Sequence, residues 1–509
     1  MAFGQNITFN LSQNNLGSPQ QGLDYVSGII FVASTLPTGF SYSVAKQIFS
    51  VNGAETLGIV GDWSDETLAT GTVSVVSGTL SVGTSVTLTI DEPDVNGTLN
   101  TLTLGSYTST AVISGTSFAG SLANSVNFTG SGYSATVVGT SSNIQVTARE
   151  GVGALINGVS ITSSTSSVAT TTAFVSGVSS VRKLEHYQIS EFFRTNINGA
   201  LWVMYVQSLG DFSAINLMQN QASGEIRQIG IYNNDATANS TITSDLDAIQ
   251  AQGAVVTSDY TPVSIIYAPN LYSYSDLSLL PNLRQRSDWY TSCVIGQDGE
   301  GLGAFLSIYA SKSIPCYGAV LGQLSKSKVS ENIGWVGGYN LVTGTELALP
   351  ALSNKALYKT TFANSRALLT QLDASGYIFL MSRPGISGTW VNDTHTAVAK
   401  TSDFAYIERV RTIYKVLRES YTGLVPLVNS SLILDSAGLM KPSTIAIFEE
   451  AMAPNLNEMV RKEEISDYAI IIDPTQNVQS TSTVNVIIRI IGIGIARNIV
   501  VDLGFALSL

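Results

Sequence analysis

The sequence is short of charge. Of its 509 residues, 25 are Lys or Arg and 37 are Asp or Glu, 12% in all, where soluble domains average about 25%. Histidine is nearly missing: His186 and His395 stand far apart, which excludes a His-rich metal site. Two cysteines, Cys293 and Cys316, are too few for a disulfide scaffold. Neither has a Cys or His neighbour at ligand spacing, so both read as buried small hydrophobes. No stretch of about 20 residues is apolar and free of charge. The nearest, Val484 to Val501, is interrupted by Arg489 and Arg497, so direct membrane insertion is not expected. The N-terminus has no basic segment leading into an apolar core, so no secretory leader is expected. The net charge of −12 repels a phosphate backbone and disfavours nucleic acid as a partner.

What is present is apolar and small. Hydrophobic residues make up 44%, and Gly numbers 45. That content, with sparse charge, excludes a disordered chain. The length suits three or four domains. A low charge density on a chain this size points to a β-rich surface of Ser and Thr, to faces covered by neighbouring subunits, or to both.

The periodicity divides the chain. Residues 1–24 hold an alternating run, Ile7-Thr8-Phe9-Asn10-Leu11, tethered by a polar stretch ahead of an apolar strand at Val26 to Val32. This strand either folds back on its own domain or is an arm that pairs with a neighbour. Residues 25–65 begin a core. Residues 66–180 alternate repeatedly, as in Ser85 to Ile90, Ile144 to Thr147 and Val159 to Thr162, with Gly, Ser and Asn turns between. That pattern predicts an inserted all-β domain, sandwich or barrel-like. Residues 181–350 mix strand and helix signals and read as α/β. They include a helix from Val181 to Asn196, a strand at Ala200 to Val206 and a helix capped near Ser244.

Residues 351–509 read as α+β, which makes the whole chain an α+β multidomain protein. A helix over Asp403 to Tyr421 places Phe404, Ile407, Val410, Tyr414 and Leu417 on one face, with Arg409, Arg411, Lys415 and Arg418 largely off it. A second helix follows Pro442, carries Glu449, Glu450 and Glu458, and should kink or split at Pro454. Along the strand from Thr483 to Ile495, Val484, Val486, Ile488 and Ile490 share one face. A long apolar strand of this kind is an aggregation hazard unless paired or covered.

No catalytic constellation emerges, and no cofactor is implied. Gly299-Glu300-Gly301-Leu302-Gly303 precedes a helix and can cradle a phosphate, but it lacks G-x-G-x-x-G spacing and a following Lys-Ser/Thr. Ser117 misses the nucleophile-elbow pattern. Asp91, Glu92 and Asp94 with Asn96 and Gly97 form an acidic turn without the EF-hand spacing. His186 and His395 read as surface or loop residues. The features that stand out are tethered terminal strands, low charge and a β insertion, which favour assembly over catalysis.

Several segments together resemble the sheath proteins of contractile phage tails and related contractile injection systems. They are Val329-Ser330-Glu331-Asn332-Ile333-Gly334-Trp335 with Tyr339-Asn340-Leu341, and Gly376-Tyr377-Ile378-Phe379-Leu380 with Pro384-Gly385-Ile386-Ser387-Gly388-Thr389-Trp390. The helix around Tyr406-Ile407-Glu408-Arg409-Val410-Arg411 and the closing strand Val484 to Ile495 complete the set. The resemblance is strongest over residues 330–509. It implies a sheath core built from both chain ends, with the insert facing outward. It also implies a helical homo-oligomer of stacked rings around an inner tube protein, with baseplate and terminator proteins as further partners. Such a particle is assembled in the host bacterial cytoplasm, and contraction needs no nucleotide. Neighbouring subunits would be linked by donated terminal strands, here Ile7, Phe9 and Leu11, and Val484, Val486, Ile488 and Ile490. The charges at Arg409, Arg411, Lys415, Arg418, Glu449, Glu450 and Glu458 would face the tube or a neighbour. The rival readings are a virion adhesin or receptor-binding protein, suggested by the Ser/Thr-rich insert, and an enzyme using the Gly299–Gly303 loop.

Overall fold

The computed structural model of the chain describes residues 22–94, 98–354 and 362–505, with residues 362–365 given by their backbone alone. Ile7, Phe9 and Leu11 therefore lie outside the described residues.

The strand Val26–Val32 is buried along almost its whole length. It sits inside a seven-stranded sheet ordered Tyr377–Ile378, Thr291–Val294, Ser264–Pro269, Gln228–Asn233, Val26–Val32, Ala200–Val206, Lys46–Ile48. Six of these strands run parallel, and the edge strand Lys46–Ile48 runs antiparallel. Parallel strands covered on both faces tend to be apolar on both, which is why Ala200–Val206 reads as an unbroken hydrophobic run and Val26–Val32 nearly as one. One face, with Ile30, Met204, Ile231 and Ile265, packs on the helices Ala214–Gln221 and Ala238–Ser258. The other, with Ile29, Val203, Tyr205 and Ile266, packs on Val181–Thr195 and Tyr317–Lys326. The helix expected near Ser244 starts earlier, at Ala238. Its polar first turns hide a buried stripe of Ile242, Leu246, Ile249 and Val256.

The insert has a hydrophobic core of its own, but it is not all-β. Between its three-stranded and four-stranded sheets lies the helix Gly115–Phe128. The Ser114 hydroxyl caps it, accepting from the Ser117 amide at 3.2 Å. Phe118, Leu122 and Val126 are buried at four-residue spacing, a helical period that its Gly, Ser and Thr neighbours obscured. The insert leaves and rejoins the body at adjacent points, where Thr67 and Val178 form an antiparallel bridge. The Ser180 amide donates to Tyr309 Oη at 2.6 Å and the Ser179 hydroxyl to the Tyr309 carbonyl at 2.7 Å, fixing the junction to the body.

The C-terminal part stacks the helices Ile407–Leu424 and Pro442–Arg461 under a hairpin of Ile465–Ile472 and Val486–Gly492. The second helix runs unbroken past Pro454, so the expected split does not occur. The two helices meet closely at Gly423, where a Cβ would collide with the Ala451 carbonyl oxygen. Val416, Met452, Leu456 and Met459 form the core beneath the hairpin.

Candidate assembly surface

The hairpin is the exposed end of this C-terminal unit. Its strands pair over seven residue positions from Ile465↔Gly492 to Ile472↔Val486. Tyr468, Ile470, Val486, Ile488 and Ile490 turn toward the helices. Ile471, Ile487 and Ile491 turn outward, the last two 51% and 61% exposed. Among the described residues the sheet has only these two strands, so each presents an unpaired outer edge. A two-stranded sheet is marginal by itself, and open apolar edges are templates for further strands.

The C-terminal run finds its pairing partner within the chain. Val486, Ile488 and Ile490 belong to the chain's own hairpin, and Val484 precedes it as a half-buried contact. Their alternation was legible, and so was most of their partner, which the sequence shows as an apolar run from Tyr468 to Asp473; its first positions, Ile465 to Asp467, were hidden because Ser466 and Asp467 are polar and exposed.

The free segment comes after the hairpin. Arg497 marks its origin. Its guanidinium donates to Asp393 Oδ2 at 2.8 Å, pairs with Glu408 and lies 3.5 Å from the Tyr406 ring centroid. Burial works against the Asp393 carboxylate, yet His395 and Arg497 beside it hold it below the usual range. Beyond this anchor, Ile499, Val500, Val501, Leu503 and Phe505 are exposed. In the sequence Arg497 registered only as an interruption of an apolar run.

The cations of the helix Ile407–Leu424 need correction. Arg411 and Lys415 are buried, and only Arg409 is exposed, resting over Tyr406. Arg411 donates to the Leu324 carbonyl at 2.7 Å and the Ser327 hydroxyl at 2.8 Å, capping the end of the helix Tyr317–Lys326. Lys415 Nζ donates to Asp24 Oδ2 at 2.7 Å and Glu464 Oε1 at 2.6 Å. Arg418 donates to the Pro262 carbonyl at 3.3 Å. This helix is packed against the central domain as well as its neighbour helix, so residues off the apolar stripe are still interior. Lys415 thereby ties together Asp24, near the start of the described residues, the helix, and the residue preceding the hairpin. Burial disfavours the charged groups, but Lys415 and the arginines hold Asp24 low, and Asp24 and Glu464 hold Lys415 high.

The acidic helix is different. Glu450 is exposed and Glu449 half-buried. Glu458 pairs with Arg461 at 2.7 Å and Lys462 at 3.3 Å, and the Arg461 hydrogen bond leads in lowering its carboxyl to about 2. The acidic and basic helices do meet, but within one chain and through apolar side chains, with Asn455 donating to the Glu419 carbonyl at 3.0 Å.

The remaining candidates fall to structural roles. The Gly299–Gly303 loop does open the helix Leu302–Ala310, but Glu346 already accepts from the Leu302 amide at 2.8 Å, and Asp298 lies alongside. A phosphate there would meet two carboxylates. Burial, with Glu346 adding to it, raises Asp298 to about 7. Cys293 and Cys316 are buried free thiols. His395 is buried, against expectation, with Nε2 2.9 Å from Asp373. His186 is partly buried, 2.9 Å from Glu55. Ser117 occupies the first turn of the insert helix. Glu92 pairs with Arg149 and accepts from Tyr133 Oη at 2.8 Å, while Asn96 and Gly97 lie outside the described residues. Among the described residues no cluster of His, Cys, Asp and Glu has metal-binding geometry, and no helix is long and apolar enough to cross a membrane.

Residues 5–395 match the DUF2586 N-terminal domain and residues 403–509 match the DUF2586 C-terminal domain. The chain belongs to the DUF2586 family. The boundary between the two matches falls just before the helix Ile407–Leu424, so the family's C-terminal domain is the helix pair, the hairpin and the tail. No curated protein matches the chain. Among solved structures, one similar chain comes from the anti-feeding prophage baseplate, determined by electron cryomicroscopy with sixfold symmetry. It has 14% identity and a TM-score of 0.43, over 66% of this chain and 85% of that one.

Proposed function

We propose that the chain is a self-assembling structural subunit of a contractile tail sheath, located in a virion tail or injection particle. In this reading subunits polymerise as a helical sleeve around an inner tube and contract to drive it forward, without catalysis or cofactor. The observation that carries the proposal is the two-stranded hairpin with both edges open, beside an exposed apolar tail. Strand donation from neighbours would complete that sheet, using the tail after Arg497 and the arm containing Ile7, Phe9 and Leu11. The resemblance of the segments around Trp335, Trp390 and Arg411 to sheath proteins gives the assembly its type. The mechanism requires two packings of the same rigid subunit that differ in free energy. Flexible linking strands would keep neighbours joined during the change. Tube, baseplate and terminator proteins are the further partners.

The test is electron microscopy of the concentrated full chain, alone and with the tube protein. Hollow helical tubes or stacked rings are expected. Removing residues 1–20, or residues 498–509, should leave a folded subunit that forms none. Normal polymers from both truncations would refute strand linkage. Monodisperse wild-type particles even with the tube protein would refute the sheath reading.

A further inference from the structure

Beside Gly22, where the described residues begin, lies a cleft of about 200 Å³ whose lining includes Asp24, Arg227, Tyr260, Lys415, Arg418, Glu419 and Tyr421. Its lining holds three cations, Arg227, Lys415 and Arg418, against two carboxylates, Asp24 and Glu419. Lys415 is already committed to Asp24 and Glu464. Arg418 reaches Asp24 only at 3.8 Å. Arg227 donates to the Gly224 carbonyl at 2.7 Å and forms no ion pair among the described residues. Burial first, and the neighbouring charge of Arg227 second, pull Arg418 down to about 9, against the opposing pull of Asp24 and Glu419. Asp24, Glu419 and Glu225 act on Arg227 in the same favourable sense, but burial prevails. Two partly buried guanidiniums without a close carboxylate are costly unless something pairs with them. The chain's own arm cannot do so, because residues 1–21 contain no acidic residue. At the mouth, Tyr260 and Tyr421 stack with centroids 4.1 Å apart, both more than a third exposed.

We propose that this cleft receives a carboxylate presented by a second copy of the chain, gripped by Arg227 and Arg418 and flanked by the Tyr260–Tyr421 stack. Arginine suits the task because its planar fork matches a carboxylate, and an acidic chain of net charge −12 carries many. The inference rests on the reading of the chain as a self-assembling subunit, and it adds a polar lock beside the strand exchange. Occupation of the cleft would couple neighbour contact to the position of the segment at Asp24, since Asp24 belongs to both.

The experiment uses the full chain and inorganic sulfate as the probe. Below the assembly concentration, melting is followed against sulfate and against chloride at matched ionic strength. Sulfate stabilises proteins generally by exclusion, a response that does not saturate, whereas a site saturates. The wild type should show a saturating rise in Tm on top of the general one, and R227Q/R418Q should lack that rise, measured from its own basal Tm. In assembly, the double variant should need at least tenfold more protein, and sulfate should inhibit the wild type. An identical, non-saturating sulfate response in both proteins would overturn the site. A saturating response with unaltered assembly of the double variant would overturn the second-copy occupant. Were the double variant not to fold, wild-type saturation and sulfate inhibition of assembly would decide by themselves. Failure of the wild type to assemble under any condition would instead refute the subunit reading, which the melting arm does not depend on.

Discussion

Lys415 shows how a charge read as a surface feature can be a structural joint. Its ammonium is buried between Asp24 and Glu464, and removing one member of a buried group leaves the others unpaired, at about 3–5 kcal/mol. Lys415→Met should therefore lower unfolding stability by about 3 kcal/mol, measured by chemical denaturation, whereas the surface change Arg409→Met should fall within about 0.5 kcal/mol. The pH dependence has a defined sign. Asp24 is held below its ordinary 3.8 and Lys415 above its ordinary 10.5. The Asp24 contribution is full above 3.8 and is lost as pH falls through its lowered folded value. The Lys415 contribution is full below 10.5 and is lost as pH rises through its raised folded value. The joint is thus tightest between these limits, and Asp24→Asn should flatten the acid limb of a Tm-against-pH curve. Asp298 is the opposite case. Its folded value is raised to about 7, so the stability it contributes when protonated fades as pH rises from 3.8 toward 7. Asp298→Asn, uncharged at every pH, should raise Tm at pH 8 by a few degrees and change it little at pH 4. A lower Tm at pH 8 would contradict the assignment.

At the scale of elements, the sequence disclosed what period and composition control. Val26–Val32 and Ala200–Val206 were legible because a parallel strand covered on both faces tends to be apolar throughout. The helix Val181–Thr195 was legible through its charged and polar residues. Gly115–Phe128 was missed because a domain dense in alternating Val and Thr made a Gly/Ser/Asn-rich stretch look like a turn, although Phe118, Leu122 and Val126 keep a helical spacing. The burial of Arg411 and Lys415 was not legible, because nothing local tells whether a helix is covered on one side or two. The hairpin, half visible as an alternating strand, supplies a test at this scale. Ile487 and Ile491 point away from the core, so Ile487→Lys with Ile491→Lys should leave stability nearly unchanged. If that face is covered on assembly, the same pair should abolish polymer in sedimentation. By contrast, Gly423→Val should cost several kcal/mol, since its side chain would strike the Ala451 carbonyl and part the two helices that support the hairpin.

For the whole molecule the question is whether the insert is separable from the machinery of assembly. Its hydrophobic core is its own, and its two connections to the body lie side by side at the Thr67–Val178 bridge. A chain can therefore cross the gap left by its removal in a few residues, with little loop-closure cost. The contacts that join the segment at Asp24, the basic helix and the hairpin involve Asp24, Lys415 and Glu464, all outside the insert. Excising residues 68–177 and joining the ends through two or three glycines should thus preserve cooperative unfolding of the body. The Asp65 carboxylate that accepts from the Val181 amide at 3.0 Å, at the start of the helix Val181–Thr195, remains in place. What is lost is the contact of Gly151 and Gly153 with Glu66, the Ala154 amide's hydrogen bond to the Ser179 hydroxyl at 3.0 Å, and the packing of the Gly153–Ile156 turn on the helix Leu302–Ala310, which uncovers the Trp63–Tyr309 face of the body. In the proposed sheath the shortened chain should still form tubes, of smaller outer diameter and unchanged inner diameter in electron micrographs. Loss of the folded body would show that the insert is not autonomous. A folded body that no longer polymerises would move the linking contacts onto the insert, and with them the weight of the assembly reading away from the hairpin.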